Sequence, residues 1–235
     1  MRGEDSKGTS YDNIEQLWDD KSEWYKHALD YWEGMDASVD GVLAGHASLS
    51  PADLVCSRVF LEKLARLPEP PSFGYALDCG AGIGRVTKGL LLKKFDTVDL
   101  LEPIAKYIEK AKHFVDSPQA KEFFECSLQE FEFPQGRYDV VWAQWCVLYL
   151  TDADLVKFIQ DSLNALTKNG VLVIKENVIT DSTTGFHVDR DDNSLMRPSH
   201  HYKRLFKEAG AELLLEMDQT HFPSALFPVK LYALR

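Results

Sequence analysis

The sequence predicts an α/β fold: a doubly wound, mostly parallel seven-stranded sheet with helices on both faces, preceded by a helical extension. Three observations predict it. Short apolar runs alternate with helix-period runs from Tyr75 to Gly210, the pattern of parallel strands joined by crossover helices. A glycine-rich turn, "DCGAGIGR", joins the first of those strands to its helix. Two apolar runs, "ELLLEM" and "VKLYALR", follow the last helix with none between them, which reads as an antiparallel edge.

The elements follow in order. Residues 1–13, "MRGEDSKGTSYDN", are polar and lack the apolar core of a signal peptide, so they read as a disordered tail. Residues 14–70 read as a helical extension packed on the main domain, which spans 71–235. In "IEQLWDDKSEWYKHALDYW", Leu17, Trp24, Ala28, Tyr31 and Trp32 fall roughly on one helical face. "DASVDGVLAGHASLSP" reads as a loop. A helix from about Pro51 to Ala65 follows, with Pro in its first turn and Ser50 as its cap. "LPEPPSFG" is a break.

Then come strand "YALDC", helix "RVTKGLLLKKF", strand "TVDLLEP", helix "IAKYIEKAKHFV", strand "KEFFECS" and strand "YDVVWAQW". Helix "DADLVKFIQDSLNALT" and strand "GVLVIKEN" come next. A polar loop leads to helix "SHHYKRLFKEAG", closed by Gly210.

Charge and cysteines narrow the function classes. The 235 residues carry 26 Lys plus Arg against 37 Asp plus Glu, a net charge of −11. Nucleic-acid binding needs a basic footprint, so no nucleic-acid partner is expected. No run is long enough to cross a membrane as a helix, so no membrane partner is expected either. Cys56, Cys79, Cys126 and Cys146 lack metal-ligand spacing and read as reduced thiols, in a cytoplasmic or nuclear protein with no metal site.

Glycines between a strand and a helix let backbone approach a ligand closely. Counted from Gly80, the sixth place of a dinucleotide fingerprint is Arg85, so that fingerprint fails; no P-loop is present. What stands here is D-x-G-x-G-x-G, from Asp78 to Gly84. Glu102 ends the next strand, where a doubly wound nucleoside site wants a carboxylate for ribose hydroxyls. A plain tight turn is the bland alternative. The complete strand–loop–helix–strand–acid unit favours the nucleoside site.

This unit resembles the first two motifs of class I S-adenosylmethionine-dependent methyltransferases, whose fold is Rossmann-like. "CSLQEF" lies where that family contacts adenine, and "YDVVWAQW" resembles its fourth strand. From about Trp24 onward the chain also resembles a narrower family, the protein α-N-terminal methyltransferases. "YWEGMDASVDGVLAGH", "LDCGAGIGRVTKGLLL", "YDVVWAQW", "VLVIKEN" and "YALR" carry that likeness.

The resemblance implies methylation of protein N-termini that begin X-Pro-Lys or X-Pro-Arg, with S-adenosyl-L-methionine as donor and S-adenosyl-L-homocysteine as product. It implies cofactor contacts at Trp32, Gly80, Gly82, Arg85, Glu102, Leu128, Gln129 and Gln144, with Arg85 on the methionine carboxylate. On the peptide side it implies Leu43 in the pocket wall, Trp145 on the substrate proline and Asn177 on the first residue's backbone. Asp189, Asp192 and Ser194 would surround the amine and the third-residue cation. Tyr149 stands where the family often has a histidine proposed as base; an unperturbed tyrosine stays neutral at working pH, so Asp192 is expected as the main proton acceptor, with Asp189, Asn177 and Tyr149 as the other catalytic candidates.

Pattern alone says less of these residues. Trp32 on an amphipathic helix, and one of Trp142 and Trp145, would be core; Asn177 would cap a turn; "VDRDDNS" would be a solvated loop. Two other readings stay open: a methyltransferase for a small metabolite, and a binding scaffold without activity.

Overall fold

The computed structural model describes residues 1–180 and 185–235. In chain order the elements are β1 (Gly3–Asp5), β2 (Ser10–Tyr11), a 3₁₀ turn (Ile14–Trp18), α1 (Lys21–Gly34), two further 3₁₀ turns (Gly41–Leu43 and Ala47–Leu49) and α2 (Ser50–Leu64). The main domain continues with β3 (Tyr75–Cys79), α3 (Arg85–Gly89), β4 (Thr97–Glu102), α4 (Ala105–Val115), β5 (Ala120–Glu125), β6 (Tyr138–Gln144), α5 (Asp152–Ala165) and β7 (Leu166–Ile179). It ends with β8 (Phe186–Asp189), β9 (Ser194–Pro198), α6 (Ser199–Glu208), β10 (Leu213–Asp218) and β11 (Val229–Leu234).

Seven strands form the expected sheet, in the order β5-β4-β3-β6-β7-β11-β10. The first five run parallel. β11 and β10 close the edge antiparallel, as the missing crossover helix requires. Parallel strands covered on both faces are apolar throughout, and every residue of β6 is buried. On one face Phe60, Leu61 and Leu64 of α2 pack with Val86, Val140, Trp142 and Val173. On the other, Leu155 and Phe158 of α5 and Leu205 and Phe206 of α6 pack with Val141, Leu172 and Tyr232. Trp142 is the core tryptophan of its pair, fully buried.

The sheet also extends past β7. β9 pairs parallel with the end of β7, β8 pairs antiparallel with β9, and β1 pairs parallel with β8. Residues 1–13 are therefore not a disordered tail: they carry β1 and β2, which form a small antiparallel pair on that new edge. The polar loop before α6 likewise holds the β8–β9 hairpin. Phe186, Val188 and Leu195 bury against Ile14, Leu17 and Trp24, a satellite core assembled from distant parts of the chain. Local pattern does not show it, because β8 brings only Phe186 and Val188, β9 only Leu195 and β1 none.

The helical extension differs in detail. Residues 14–32 are not one helix; a 3₁₀ turn precedes α1, which Asp20 caps by accepting the Glu23 N–H at 3.0 Å. Ser50 is the first residue of α2 rather than its cap, and its hydroxyl accepts from Arg85 at 3.2 Å. The "RVTKGLLLKKF" helix stops at Gly89 and passes into a 3₁₀ turn at Leu91–Lys93. Among the described residues, no helix is long and apolar enough to cross a membrane.

Candidate active site

The strand order reverses between β3 and β6, and a cavity of about 450 Å³ opens at the carboxyl ends of these strands. α1, the turns between α1 and α2, the β8–β9 hairpin and the β10–β11 connection complete its walls. Every residue that the resemblance singles out lies on those walls.

The β3–α3 turn forms the floor. Gly80 sits at φ +64°, and a Cβ there would come within 2.5 Å of the Cys146 Cβ, so this position demands glycine. The Gly82 N–H donates to Glu102 at 2.9 Å, and the Ile104 N–H donates to the other oxygen at 2.9 Å. Glu102, only 5% exposed, thus ties the turn to the end of β4. Burial pushes its carboxyl up to about 7 although both N–H groups pull it down. Leu128 and Gln129 line the wall just past β5.

A buried charge network stands behind this floor. Arg85 donates to Asp53 at 2.7 Å, Gln144 donates to the second Asp53 oxygen at 2.8 Å, and Lys175 pairs with that oxygen as well. Lys175 also donates to Ser57 at 2.9 Å, and Trp142 donates to the Gln144 carbonyl oxygen at 3.2 Å. Asp53, Ser57 and Lys175 are all fully buried. Asp53 and Ser57 carry no motif signal. Lys175 does: a lysine directly after the apolar run Val171–Ile174, on a strand that reads as buried, demands a buried partner.

The opposite half of the cavity is aromatic and acidic. Trp145 has φ +53°, a left-handed turn just after β6 that swings its ring into the cavity. Its indole N–H donates to Asn177 at 3.2 Å. The Arg85 guanidinium and the Lys175 ammonium lie 5.7 and 5.9 Å from the ring centroid, and Phe222 stacks at 6.4 Å. Phe222, Leu226 and Phe227 come from the β10–β11 connection, a segment without pattern, so sequence reasoning missed them. Leu43, in the Gly41–Leu43 turn, lines the same cavity.

Tyr149 stands between two partners. Its hydroxyl accepts from the Trp32 indole at 2.9 Å and donates to Asp192 at 2.9 Å. Burial and the Asp192 charge push the phenol far above its ordinary value, so it stays protonated. Burial also raises the Asp192 carboxyl, against the hydrogen bonds from Ser194 and Tyr149. Asp189, at the end of β8, accepts from the Asp191 N–H at 2.9 Å and from Ser6 at 3.5 Å. Among the described residues, neither Asp189 nor Asp192 has a cationic partner; the nearby Arg190 pairs with Asp5 instead.

One wall thus offers backbone, a carboxylate and a guanidinium. The other offers a flat ring, an amide and two uncompensated carboxylates. Such a cavity can hold a nucleoside at one end and a cationic peptide end at the other.

Residues 20–235 match the family model described as AdoMet dependent proline di-methyltransferase. The chain is 40% identical over 251 residues to alpha N-terminal protein methyltransferase 1 of Arabidopsis thaliana, covering 99% of this chain and 90% of that one. It is 38% identical over 224 residues to N-terminal Xaa-Pro-Lys N-methyltransferase 1-A of Xenopus laevis, covering 94% and 99%. A solved SAM-dependent methyltransferase from Leishmania major superposes with a TM-score of 0.91 at 40% identity, over 100% of this chain and 96% of that one.

Proposed function

The chain belongs to the AdoMet-dependent proline di-methyltransferase family, and from that premise we propose that it methylates the α-amino group of protein N-termini beginning X-Pro-Lys or X-Pro-Arg. One observation carries the substrate class: the cavity that holds the glycine turn and Glu102 also holds Trp145 and the uncompensated pair Asp189 and Asp192. A small metabolite needs no such wall, and the relatives are named for protein N-termini.

The residues present fit the cofactor. The cradle at Gly80 admits no Cβ, and the buried Glu102 carboxylate stands at the ribose end of the turn. Arg85, steadied by Asp53, would take the methionine carboxylate; Leu128 and Gln129 would flank adenine; Trp32 would border the same space. Gln144 would shape the methionine end, with its amide committed to Asp53 and Trp142. When bound, S-adenosylmethionine supplies an electrophilic methyl group on a sulfonium.

The chain's own residues do the rest. Trp145 presents a flat face to the proline ring, at small entropic cost. Asn177 holds the first residue's backbone. Asp189, with Ser194, would pair with the third residue's cation. An α-amine has a pKa of about 7.7–8.0, so a useful fraction is neutral at cellular pH, and alignment plus removal of one proton suffices. Asp192 accepts that proton. Its raised pKa makes it a stronger base than an exposed carboxylate.

The net charge of −11 and the scattered thiols support a cytoplasmic or nuclear setting without nucleic-acid or membrane partners. The test is mass spectrometry of Ser-Pro-Lys and Ser-Pro-Glu peptides after incubation with S-adenosylmethionine. We expect methyl additions on the lysine peptide alone; equal turnover of both would sink the reading.

A further inference from the structure

The acidic stretch Asp189–Arg190–Asp191–Asp192 contains its own cation. Arg190 is the only Lys or Arg between Lys175 and Arg197. A guanidinium one or two residues from Asp189 and Asp192 has a local concentration at them in the millimolar range. Left free, it would neutralise the acidic wall that the cavity presents.

The structure holds it elsewhere. Arg190 Nε donates to the Asp5 carboxylate at 3.2 Å, and Nη2 donates to the Tyr11 hydroxyl at 2.7 Å. The Tyr11 hydroxyl in turn donates to Asp5 at 2.7 Å. Asp5 is 5% exposed and also accepts the Lys7 and Thr9 N–H groups at 3.0 and 2.9 Å, so the carboxylate is fixed before Arg190 reaches it. The guanidinium carbon lies 5.5 Å from the Tyr11 ring and 5.9 Å from Trp24. The backbone is pinned on the same side: the Arg190 N–H donates to Ser6 at 3.0 Å, and His27 Nε2 lies 3.2 Å from the carbonyl oxygens of Arg190 and Asp191. Asp189 and Asp192 line the cavity, and Arg190 does not.

We propose that Asp5 and Tyr11 form a clamp that withdraws Arg190 from the acidic wall, so that Asp189 remains open to a basic residue of the peptide; Asp192 is already engaged by Tyr149 and Ser194. The inference rests on the peptide reading above and deepens it. It makes the N-terminal segment a specificity determinant that touches neither cofactor nor peptide. The clamp works by removing an internal competitor, so its loss should weaken binding of a basic peptide and leave the chemical step alone.

The experiment uses the full chain and a Ser-Pro-Lys peptide. Asp5→Asn should raise KM for that peptide about tenfold, with kcat and S-adenosylhomocysteine affinity within about twofold of wild type. Adding Arg190→Gln to Asp5→Asn should return KM to within about twofold of wild type, because no competitor remains. Tyr11→Phe removes one acceptor and should shift KM the same way by about threefold; it carries the test should Asp5→Asn not fold. A double variant as impaired as Asp5→Asn alone would show that the clamp only shapes the loop and overturn the proposal. So would wild-type KM in both single variants. A wild-type protein inert toward Ser-Pro-Lys overturns the peptide reading itself, an outcome read before any variant is made.

Discussion

The Tyr149 hydroxyl donates to Asp192 at 2.9 Å while accepting the Trp32 indole N–H, so it is committed on both sides. A phenol that gives its only proton to a carboxylate, and whose own pKa is pushed up, is a poor base. It holds Asp192 instead. Asp192→Asn should reduce single-turnover methylation of a Ser-Pro-Lys peptide by roughly 10²–10⁴, the range for loss of a general base. The deficit should shrink from pH 6 to pH 9 as the neutral amine fraction grows. Tyr149→Phe should cost far less. A severe Tyr149→Phe defect beside a mild Asp192→Asn one would reverse the roles.

Glu102 gives a pH signature to cofactor binding. Its carboxyl rests at about 7, and ribose hydroxyls donate best to the ionised form. Between pH 8 and pH 6 the ionised fraction falls by about tenfold, and S-adenosylhomocysteine affinity measured by calorimetry should fall by about the same factor. Binding near pH 7 should release a proton. Glu102→Gln should bind weakly with no such slope; a flat wild-type profile would remove Glu102 from the ribose site.

Stability should fall as pH rises through the neutral range. Burial pushes Asp78 to about 6, Glu102 to about 7 and Glu176 to about 8. Each folded-state value lies above the ordinary carboxyl range of the unfolded chain. Each contribution is therefore full below the unfolded pKa and lost as pH climbs through the folded one. Carboxylates with lowered values, such as Asp152 at about 2, lose their contribution only in acid, outside this window. The melting temperature should decline between pH 5 and pH 9, and Glu176→Gln should flatten the upper part of that decline. A melting temperature that rises over this window would refute the account.

Asp53 is the hinge of the buried network. Asp53→Asn leaves the fully buried Lys175 without a counter-charge, which should cost about 3–5 kcal/mol and lower the melting temperature by roughly 10 °C. S-adenosylhomocysteine affinity should drop as well, since Arg85 loses its 2.7 Å partner. Changing Lys175→Met in the same protein should recover most of the stability, because a buried pair can be exchanged for apolar groups, but not the affinity. Recovery of both would show that Asp53 serves stability alone.

What could be read from the chain depended on how local each signal was. The β3–α3 turn was legible because its glycines and Glu102 lie in one strand–turn–helix–strand unit. The seven central strands were legible because each carries a short apolar stretch between breaks or helix-period runs. β1, β8 and β9 were not, since Phe186, Val188 and Leu195 find their partners at Ile14, Leu17 and Trp24, more than 150 residues away. Asp53 escaped for the same reason: it lies on α2, and Arg85, Gln144 and Lys175 come from three other elements. The aromatic wall at Phe222 sits in a connection that has no period at all. The residues carried over by resemblance share one cavity, but their separate roles rest on the experiments above.

The position of β11 bears on how the protein is made. β11 lies between β7 and β10, pairing with each over its length, so neither can be sealed on that side until β11 has been synthesised. β1 must likewise wait for β8, which is synthesised long after it. The β11 side of β7 and the free edge of β1 therefore stay open until late in translation, each exposing unpaired backbone to neighbouring chains. A nascent chain arrested before Val229 would carry a nearly complete cofactor floor beside an unsealed β7. Such a fragment should depend on chaperones for its solubility, and the sealing of β7 by β11 should be a late step of folding.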